Sequence, residues 1–256
     1  MEKEGKYIYC IIGTEQERNF GPIGIGGRGD EVLTIGYDDL SMVVSSYPMT
    51  KFIVSRENML AHMRVIEKMM NEFDSVLPVR FGTVASNADE IRNLLDRRLR
   101  EFRSFLRNMD HKVELGVKGS WKHMNVIFEE IVEENREIKK AKEKIQNEVG
   151  KKNIQAKTEV GKMVEEALKK EKERETEKIV AALKRTAFEY KLNKIIGDEM
   201  FMNVAFLVDK GREKEFDNII EDLSERYRDR AKFVYVGPVP VYSFVNIVIY
   251  PEEWEK

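Results

Sequence analysis

The sequence predicts an α+β fold of two modules, the second of which is ferredoxin-like with a long charged helical-hairpin insertion. Short apolar runs bounded by Gly, Pro and Asp alternate with amphipathic stretches of helical period, a pattern typical of mixed folds. One series of elements ends near residue 110, and a second series begins there with a new strand. We therefore place the modules at residues 1–110 and 111–256, with the insertion at about 123–196.

The first module is predicted to follow the order β-β-β-α-β-α. Its first strand is apolar on both faces, which is typical of a central strand. The helix at 87–109 has Asn87 and Glu90 at the spacing of a capping box. The predicted elements are the strands KYIYCIIG (6–13), EVLTIGY (31–37) and LSMVVSSY (40–47), the helix 55–73, the strand SVLPVRFGTV (75–84) and the helix 87–109.

The second module is predicted as a strand, a long helical hairpin, and then the order β-α-β-β. Between residues 131 and 180, 26 of 50 residues are charged, yet a thin apolar stripe of helical period persists. We interpret 123–196 as two long helices joined near Gly150; a partly disordered charged linker is the alternative. The other elements are the strands 111–121 and MFMNVAFLVD (200–209), a helix within 210–230, and the strands AKFVYVG (231–237) and VYSFVNIVIY (241–250).

Composition excludes several classes of protein. Hydrophobic residues make up 42% of the chain, enough for a folded core, and the net charge of −2 gives no overall attraction to nucleic acid or anionic membranes. The one cysteine, Cys10, lies in an apolar run and allows no disulfide framework. No run approaches the ~20 apolar residues that span a bilayer, and no signal peptide opens the chain. We expect a cytoplasmic protein without nucleic-acid or membrane partners.

The glycine-rich loop at 21–29 contains the spacing G-x-G-x-x-G at Gly24, Gly26 and Gly29. A dinucleotide-binding loop must lead into a helix, because the helix N-terminus holds the phosphate. Here the loop leads into a predicted strand, and none of the kinase motifs follows. We interpret it as a flexible connection between strands; a nucleotide- or phosphate-dependent enzyme that uses this loop is the alternative.

Candidate catalytic and metal-binding residues are not found. His62 lies near Ile66 on the apolar stripe of its helix and is interpreted as a packed residue with one hydrogen bond. His111 and His123 have no Cys or second His at ligand spacing, and no Ser or Cys lies in a nucleophile context. We therefore predict a protein that is not an enzyme and has no catalytic residues, cofactor or metal. A generic scaffold that dimerises through the hairpin is a further alternative.

Several stretches, in this order along the chain, resemble the GvpL/GvpF family of gas vesicle proteins. The two most specific are VLPVRFGTV (76–84) and GPVPVYSFV (237–245); Val239 and Val241 depart from the residues common in the family. The others are YIYCIIG, DDLSMVVSS (38–46), NMLAHMRVIE (58–67), VELGVKGSW (113–121) and MNVAFLVD (202–209).

The resemblance implies a role in the formation of gas vesicles, the gas-filled protein shells inside aquatic bacteria and archaea. Its implied partners are the small apolar shell protein and other gas vesicle accessory proteins, during assembly or as a minor vesicle component. A shell protein with a large apolar face would aggregate unless it is sequestered or delivered. The implied location is the cytoplasm and the gas vesicle.

Arg80 interrupts the apolar run VLPVRFGTV, and arginine is rarely buried without a partner. In a strand, Pro78, Arg80 and Gly82 would share one face and Phe81 the other. We predict a structural motif in which Arg80 reaches an acid or backbone carbonyls in a buried pair; a direct contact with a partner protein is the alternative. The candidate partner-binding residues, on the apolar strands 200–209 and 241–250, are Phe206, Tyr242 and Phe244.

Overall fold

The computed structural model describes residues 4–49, 54–147 and 151–249. The α+β class is confirmed, with two sheets and two compact units. Unit 1 comprises Met1–Leu115, Leu207–Gly211 and Gly237–Lys256, and unit 2 comprises Gly116–Phe206 and Arg212–Val236. The predicted division placed all of 111–256 in the second module, whereas in the structure the segment Gly237–Lys256 belongs to unit 1.

The first sheet is antiparallel throughout and has the order β2-β3-β1-β4, with β5 also paired to β1. Its strands and accompanying helices match the predicted series in order and type, apart from two interruptions described below. They are β1 (Glu4–Gly13), β2 (Val32–Tyr37), β3 (Leu40–Pro48), α1 (Arg56–Glu72), β4 (Val76–Pro78), β5 (Val84–Ala85), α2 (Ala88–Arg97) and α3 (Leu99–Asn108).

The central strand β1 contributes to a core on each side of the sheet. A register shift between Ile8 and Cys10 inserts one extra residue, so that Tyr9 and Cys10 face the same way. Ile8 and Ile11 pack in the cluster that includes α2 and α3, whereas Tyr9, Cys10 and the rest of their face pack in the cluster that includes α1. Burial on both faces explains the continuous apolar run in this strand.

Two predicted elements of unit 1 are interrupted. The run 75–84 is not one strand: β4 ends at Pro78, and a turn follows in which Thr83 N donates to Arg80 O before β5 begins. The predicted helix 87–109 breaks at Arg98, whose backbone leaves the helical region. The Arg98 guanidinium binds Glu101 and the Val248 carbonyl, which are contacts that a local helical pattern does not encode.

The second sheet has the order β7-β8-β6-β9 and the chain order β-α-β-β-α-β of a ferredoxin-like fold. Three helices in succession, α4 to α6, fill the first crossover, so the predicted helical insertion is present, but its first helix is divided at Asn135 where two long helices were predicted. The predicted joint near Gly150 lies outside the described residues. The elements are β6 (Lys112–Trp121), α4 (Met124–Glu134), α5 (Arg136–Asn147), α6 (Lys151–Leu183), β7 (Ala187–Leu192), β8 (Met200–Asp209), a 3-10 turn (Lys210–Arg212), α7 (Glu213–Arg226) and β9 (Ala231–Val239).

Two strand assignments in this half of the chain were wrong. Residues 187–192 were predicted to continue the helix but form β7, the edge strand of the second sheet. The apolar stretch VYSFVNIVIY was predicted as the last strand, yet residues 241–249 pair with no sheet. Its apolar side chains instead enter the core of unit 1, where Val241, Val245 and Ile247 are buried.

The charged segment 169–178 of α6 is anchored by ion pairs and hydrogen bonds. Glu171 and Glu175 are buried, and Glu171 is held by Arg174 at 2.6 Å. Arg230, which precedes β9, binds Glu130 of α4 at 2.8 Å and lies 3.7 Å from Glu171. Acidic and basic residues from three parts of the chain are paired here. Over 169–178, α6 therefore packs against the rest of unit 2 through charged side chains rather than apolar ones.

We expect Gly119→Ala to destabilise unit 2 and Gly161→Ala to stabilise it. A Cβ at Gly119 would lie 2.6 Å from the buried ring of Phe201, and such overpacking costs about 1–3 kcal/mol. A Cβ at Gly161, inside α6, meets no atom within 4 Å, so alanine there should raise stability by about 0.5–1 kcal/mol. Thermal and urea unfolding of the two variants measure both effects, and equal melting temperatures would contradict this packing.

Candidate functional site

His62 is a buried polar side chain of unit 1, which α1 places against the sheet. The helix begins after Ser55, whose hydroxyl accepts from Asn58 N. Only 1% of His62 is exposed. Its Nδ1 lies 2.9 Å from the Tyr7 hydroxyl, and its Nε2 lies 2.9 Å from the Tyr242 hydroxyl. We call these three side chains the His62 clamp; the histidine has two such partners rather than the single one predicted.

The clamp holds a neutral imidazole. Burial lowers the pKa of His62 to about 4, against a smaller opposing effect of a hydrogen bond to the Val79 backbone. Burial likewise raises the pKa values of Tyr7 and Tyr242 above the usual tyrosine range. A neutral imidazole donates through one nitrogen and accepts through the other, so it can satisfy both hydroxyls. Because both nitrogens are engaged inside the core, this histidine is built for structure rather than for proton transfer to a ligand.

The segment 241–247, which contains the YSFV motif, is fixed to unit 1 along its length. Ser243 donates to the buried Glu114 twice, from its N at 2.8 Å and its Oγ at 2.6 Å. Phe244 packs on the cluster that includes α2 and α3, and Asn246 Oδ1 accepts from Arg80 at 2.9 Å. The two most specific sequence motifs, 76–84 and 237–245, meet in space, because Leu77 and Val79 share a core cluster with Val241 and Val245.

Arg80 does not form the predicted buried charge pair. Its side chain is exposed, and the partner is the amide oxygen of Asn246 rather than a carboxylate. The motif residues around it are nonetheless internal to the fold. Pro78 is buried opposite Cys10, Gly82 adopts φ +89° while its N donates to the Tyr7 hydroxyl, and the Phe81 ring lies 5.5 Å from the His62 ring.

The candidate partner-binding residues fall in different units. Phe206 is fully buried in unit 2, with its ring 5.3 Å from Phe216 and 6.2 Å from Tyr190, so it cannot touch a partner directly. Tyr242 and Phe244 both lie in unit 1. Tyr242 is 36% exposed although its hydroxyl is held by the clamp, and Phe244 is half-buried on the core. Tyr242 thus presents only part of its ring to solvent.

The glycine-rich loop is a folded connection closed on its own backbone. Gly24 N donates to Asp30 O, and Ile25 N donates to the Tyr9 hydroxyl at 2.7 Å. Ile25 is fully buried, so the loop is anchored to the sheet rather than flexible as predicted. Gly26 and Gly29 adopt positive φ values, and the loop leads into β2. The helix N-terminus that a phosphate-binding glycine loop requires does not follow it.

An apolar surface on β7 escaped the sequence prediction. Phe188, Tyr190 and Leu192 alternate along the strand and are 63%, 42% and 66% exposed. Beside them a groove of about 570 Å³ runs between α6 and the strands, with Ala181, Ile195 and Met202 among its lining residues. Apolar and charged residues alternate strictly over 188–192, which is the pattern of a strand. The long helical pattern before this stretch led to the prediction that the helix continues through it.

Comparison with known proteins identifies the family. The model of the gas vesicle synthesis protein GvpL/GvpF family matches residues 5–246. The chain belongs to this family. It is 27% identical to gas vesicle protein F1 of Halobacterium salinarum, over 98% of this chain and 97% of the relative. It is also 27% identical to gas vesicle protein F of a Streptomyces species, over 94% and 99% of the two chains.

Two solved structures of GvpF have the same fold as this member of the family. The crystal structure of GvpF from Anabaena sp. PCC7120 matches with a TM-score of 0.83 at 22% identity, covering 96% of this chain and all of the other. GvpF from Microcystis aeruginosa matches with a TM-score of 0.80 at 21% identity, covering 95% and 99%. GvpL/GvpF proteins take part in gas vesicle formation and are not a known enzyme family.

Two other features of the family member bear on function. Among the described residues, no helix is both long and apolar enough to cross a membrane. Asp74, Asp110 and His111 bring three potential metal-ligand atoms within 4.8 Å of one another, but all three residues are exposed. Exposed acidic groups often lie this close together without binding an ion, so this cluster alone does not define a metal centre.

The His62 clamp makes unit 1 sensitive to acid. The pKa of His62 is about 4 in the folded state and about 6.5 when unfolded, so only the unfolded state gains the proton between these values. Stability should therefore fall as the pH drops from 6.5 towards 4, by about 3 kcal/mol over the whole window. Urea unfolding of the wild type and His62→Gln across this range isolates the effect, because glutamine does not titrate. Parallel pH profiles for the two proteins would refute it.

Arg80→Ala should be mild and Glu114→Ala severe. An exposed arginine bound to an amide contributes little, and we expect a loss of less than about 1 kcal/mol. Removal of Glu114 leaves the N–H and hydroxyl of Ser243 without their acceptor, at a cost of about 1–3 kcal/mol for each buried unsatisfied group. Urea denaturation gives both values; a larger loss for Arg80→Ala would restore the buried-pair hypothesis.

Proposed function

We propose that this protein is a non-catalytic assembly factor that binds the small apolar shell protein of gas vesicles, both in the cytoplasm and at the growing vesicle. Membership of the GvpL/GvpF family supports a role in vesicle formation. The observation that carries the finer proposal is the apolar groove of unit 2 and the exposed side chains along its border.

The groove offers the chemistry that an apolar shell subunit requires. Val180, Ala181 and Ile195 line it together with the buried Phe201 and Met202. Charged side chains of α6 also line the groove: Lys169, Lys172, Glu173, Glu177 and Lys184. Ile196, beside it in sequence, is 74% exposed. A shell subunit in transit must cover its own apolar face, and burial of apolar area contributes about 25 cal/mol per Å². This groove would hold one apolar segment of the subunit while leaving the rest for the growing wall.

Other accessory proteins are the proposed partners of the distal half of the helical hairpin. Ile138 and Leu168 are buried, whereas most described residues between them are exposed and many are charged. Ion pairs on an exposed surface contribute only about 0–1 kcal/mol each, so this region is better suited to recognising charged proteins than to covering an apolar one. Shell binding should therefore persist without it.

The groove is tested by co-expression with the shell protein and affinity capture. Ala181→Arg combined with Ile195→Ser should reduce captured shell protein at least tenfold, because a charge fills the groove and an apolar contact is lost. The matched control is Val234→Ser with Val236→Ser, which removes two exposed valines from β9. Capture of shell protein should be unchanged in that control.

The hairpin is tested by replacing residues 139–167 with a short Gly/Ser loop, which spares the anchored part of α6. Circular dichroism must show that both units remain folded. Shell capture should then match the wild type, whereas capture of other gas vesicle accessory proteins should decrease. Loss of shell capture in the loop variant, with the groove variant unaffected, would place the shell site on the hairpin and overturn the proposal.

A further inference from the structure

The edge strand β7 has features of a self-pairing surface. It stands at the end of the order β7-β8-β6-β9, and no other strand of the described residues lies beyond it. Every residue of β7 from Phe188 to Leu192 is exposed. Proteins usually protect such edges with charges that repel a neighbour, with proline or with a bulge. Beyond Ala187, β7 has no proline, and its two charges, Glu189 and Lys191, are opposite in sign and lie 4.0 Å apart, so together they do not repel a neighbouring strand.

The sequence of β7 is symmetric about Tyr190 in its chemistry. Glu189 and Lys191 flank Tyr190 directly, and Phe188 and Leu192 lie two residues away from it on either side. In an antiparallel pair of identical strands with Tyr190 opposite Tyr190, Glu189 of each copy lies opposite Lys191 of the other. Phe188 of each copy likewise lies opposite Leu192. Opposite charges and apolar pairs directly across antiparallel strands stabilise the pairing.

Other registers lose this complementarity. Moving the pair by one residue sets the apolar row of one copy against the charged row of the other. The next registers that keep the faces aligned place Glu189 opposite Glu189 or Lys191 opposite Lys191, which is repulsive. One register therefore satisfies both the charges and the apolar row.

We propose that two copies of this protein pair through β7, antiparallel and with a twofold axis at Tyr190, to form a continuous eight-stranded sheet. The occupant of the edge is a second copy because the strand is complementary to itself in charge. The opposite edge of the same sheet lacks this property: β9 contains Lys232 but no acid, and Pro238 interrupts its donors. The pairing does not depend on the shell protein.

The orientation of the twofold axis determines which side chains of the two copies lie on the same face of the joined sheet. The axis runs perpendicular to the joined sheet, so Phe188, Tyr190 and Leu192 of both copies form one apolar band on the same face. Tyr190 and Leu192 also line the groove beside α6, and the two grooves then open on the same side of the joined sheet.

Charge exchange tests the register directly, by sedimentation velocity over a concentration series. The wild type should dimerise with concentration. Glu189→Lys places lysines opposite each other and Lys191→Glu places glutamates opposite each other, so each should weaken dimerisation at least tenfold. The double variant Glu189→Lys with Lys191→Glu should restore it. An equimolar mixture of the two single variants should form heterodimers, because each copy then supplies the charge that the other lacks.

A cysteine at the twofold axis gives a second measurement. The native Cys10 is buried, and burial raises its thiol pKa, so it should not interfere. Under mild oxidation Tyr190→Cys should form a disulfide-linked dimer, because directly opposite residues of antiparallel strands have Cα atoms about 4.5–5.5 Å apart, which is within the range of a disulfide. The control Val234→Cys, on the other edge, should form no disulfide-linked dimer, although it still pairs through β7.

Three results would overturn the proposal. The first is a monomeric wild type at every concentration. The second is a dimer that is unchanged by both single charge variants. The third is loss of shell capture in Glu189→Lys and Lys191→Glu while the wild type stays monomeric, which would assign this edge to a strand of the shell subunit.

Discussion

A neutral histidine between two tyrosines is the interaction on which unit 1 depends. Tyr7 comes from the first strand and Tyr242 from the segment that follows the second sheet, and His62 binds both. Burial makes a charged imidazole unfavourable, so the neutral form and both hydroxyl contacts support one another. With Glu114 holding Ser243, the clamp positions the apolar side chains that complete the core of this unit.

Unit 2 is held together in part by ion pairs of the helix α6 rather than by a buried neutral histidine. Its long helix α6 lacks apolar residues over 169–178, where a helix normally packs, and buries paired charges instead. Breaking one partner of such a network leaves an uncompensated charge, so these pairs fix the position of α6 more than they add stability. A firmly held α6 also gives the adjoining groove a rigid wall, which suits a binding surface that must keep its shape.

Local sequence patterns predicted most of the helices and strands, but they did not predict the features that depend on contacts between residues distant in sequence. The alternation and helical periods located β1 to β3, α1, α6 and α7. The ferredoxin-like class was predicted from the order β-hairpin-β-α-β-β, whereas the β-α-β-β-α-β order of the structure depends on β7, which was missed. VYSFVNIVIY has strong strand propensity but no neighbouring strand, because Tyr242, Ser243 and Asn246 bind side chains far away in sequence. Arg80 was predicted to be buried because the run 75–84 was taken as one strand, and no sequence signal indicated the turn that follows Pro78.

The candidate site was only partly accessible to sequence reasoning. The motifs containing Phe81, Gly82 and Tyr242 were recognised, but their meeting at His62 required the tertiary structure. Phe206 was chosen for its apolar strand, and the same apolarity places it inside the core. The exposed row on β7 had a readable period of two, and the charged helix before it made that period easy to overlook.

The packing of residues 241–247 in the core of unit 1 has a consequence for synthesis. On the ribosome, the early strands emerge first, yet the residues that cover their core are translated only after the whole of unit 2. During that interval Ile8, Ile11 and their neighbours lack part of their apolar cover. A protein that is proposed to shield an aggregation-prone subunit would therefore itself pass through a nascent state in need of shielding, and slow translation of its last segment would prolong that state.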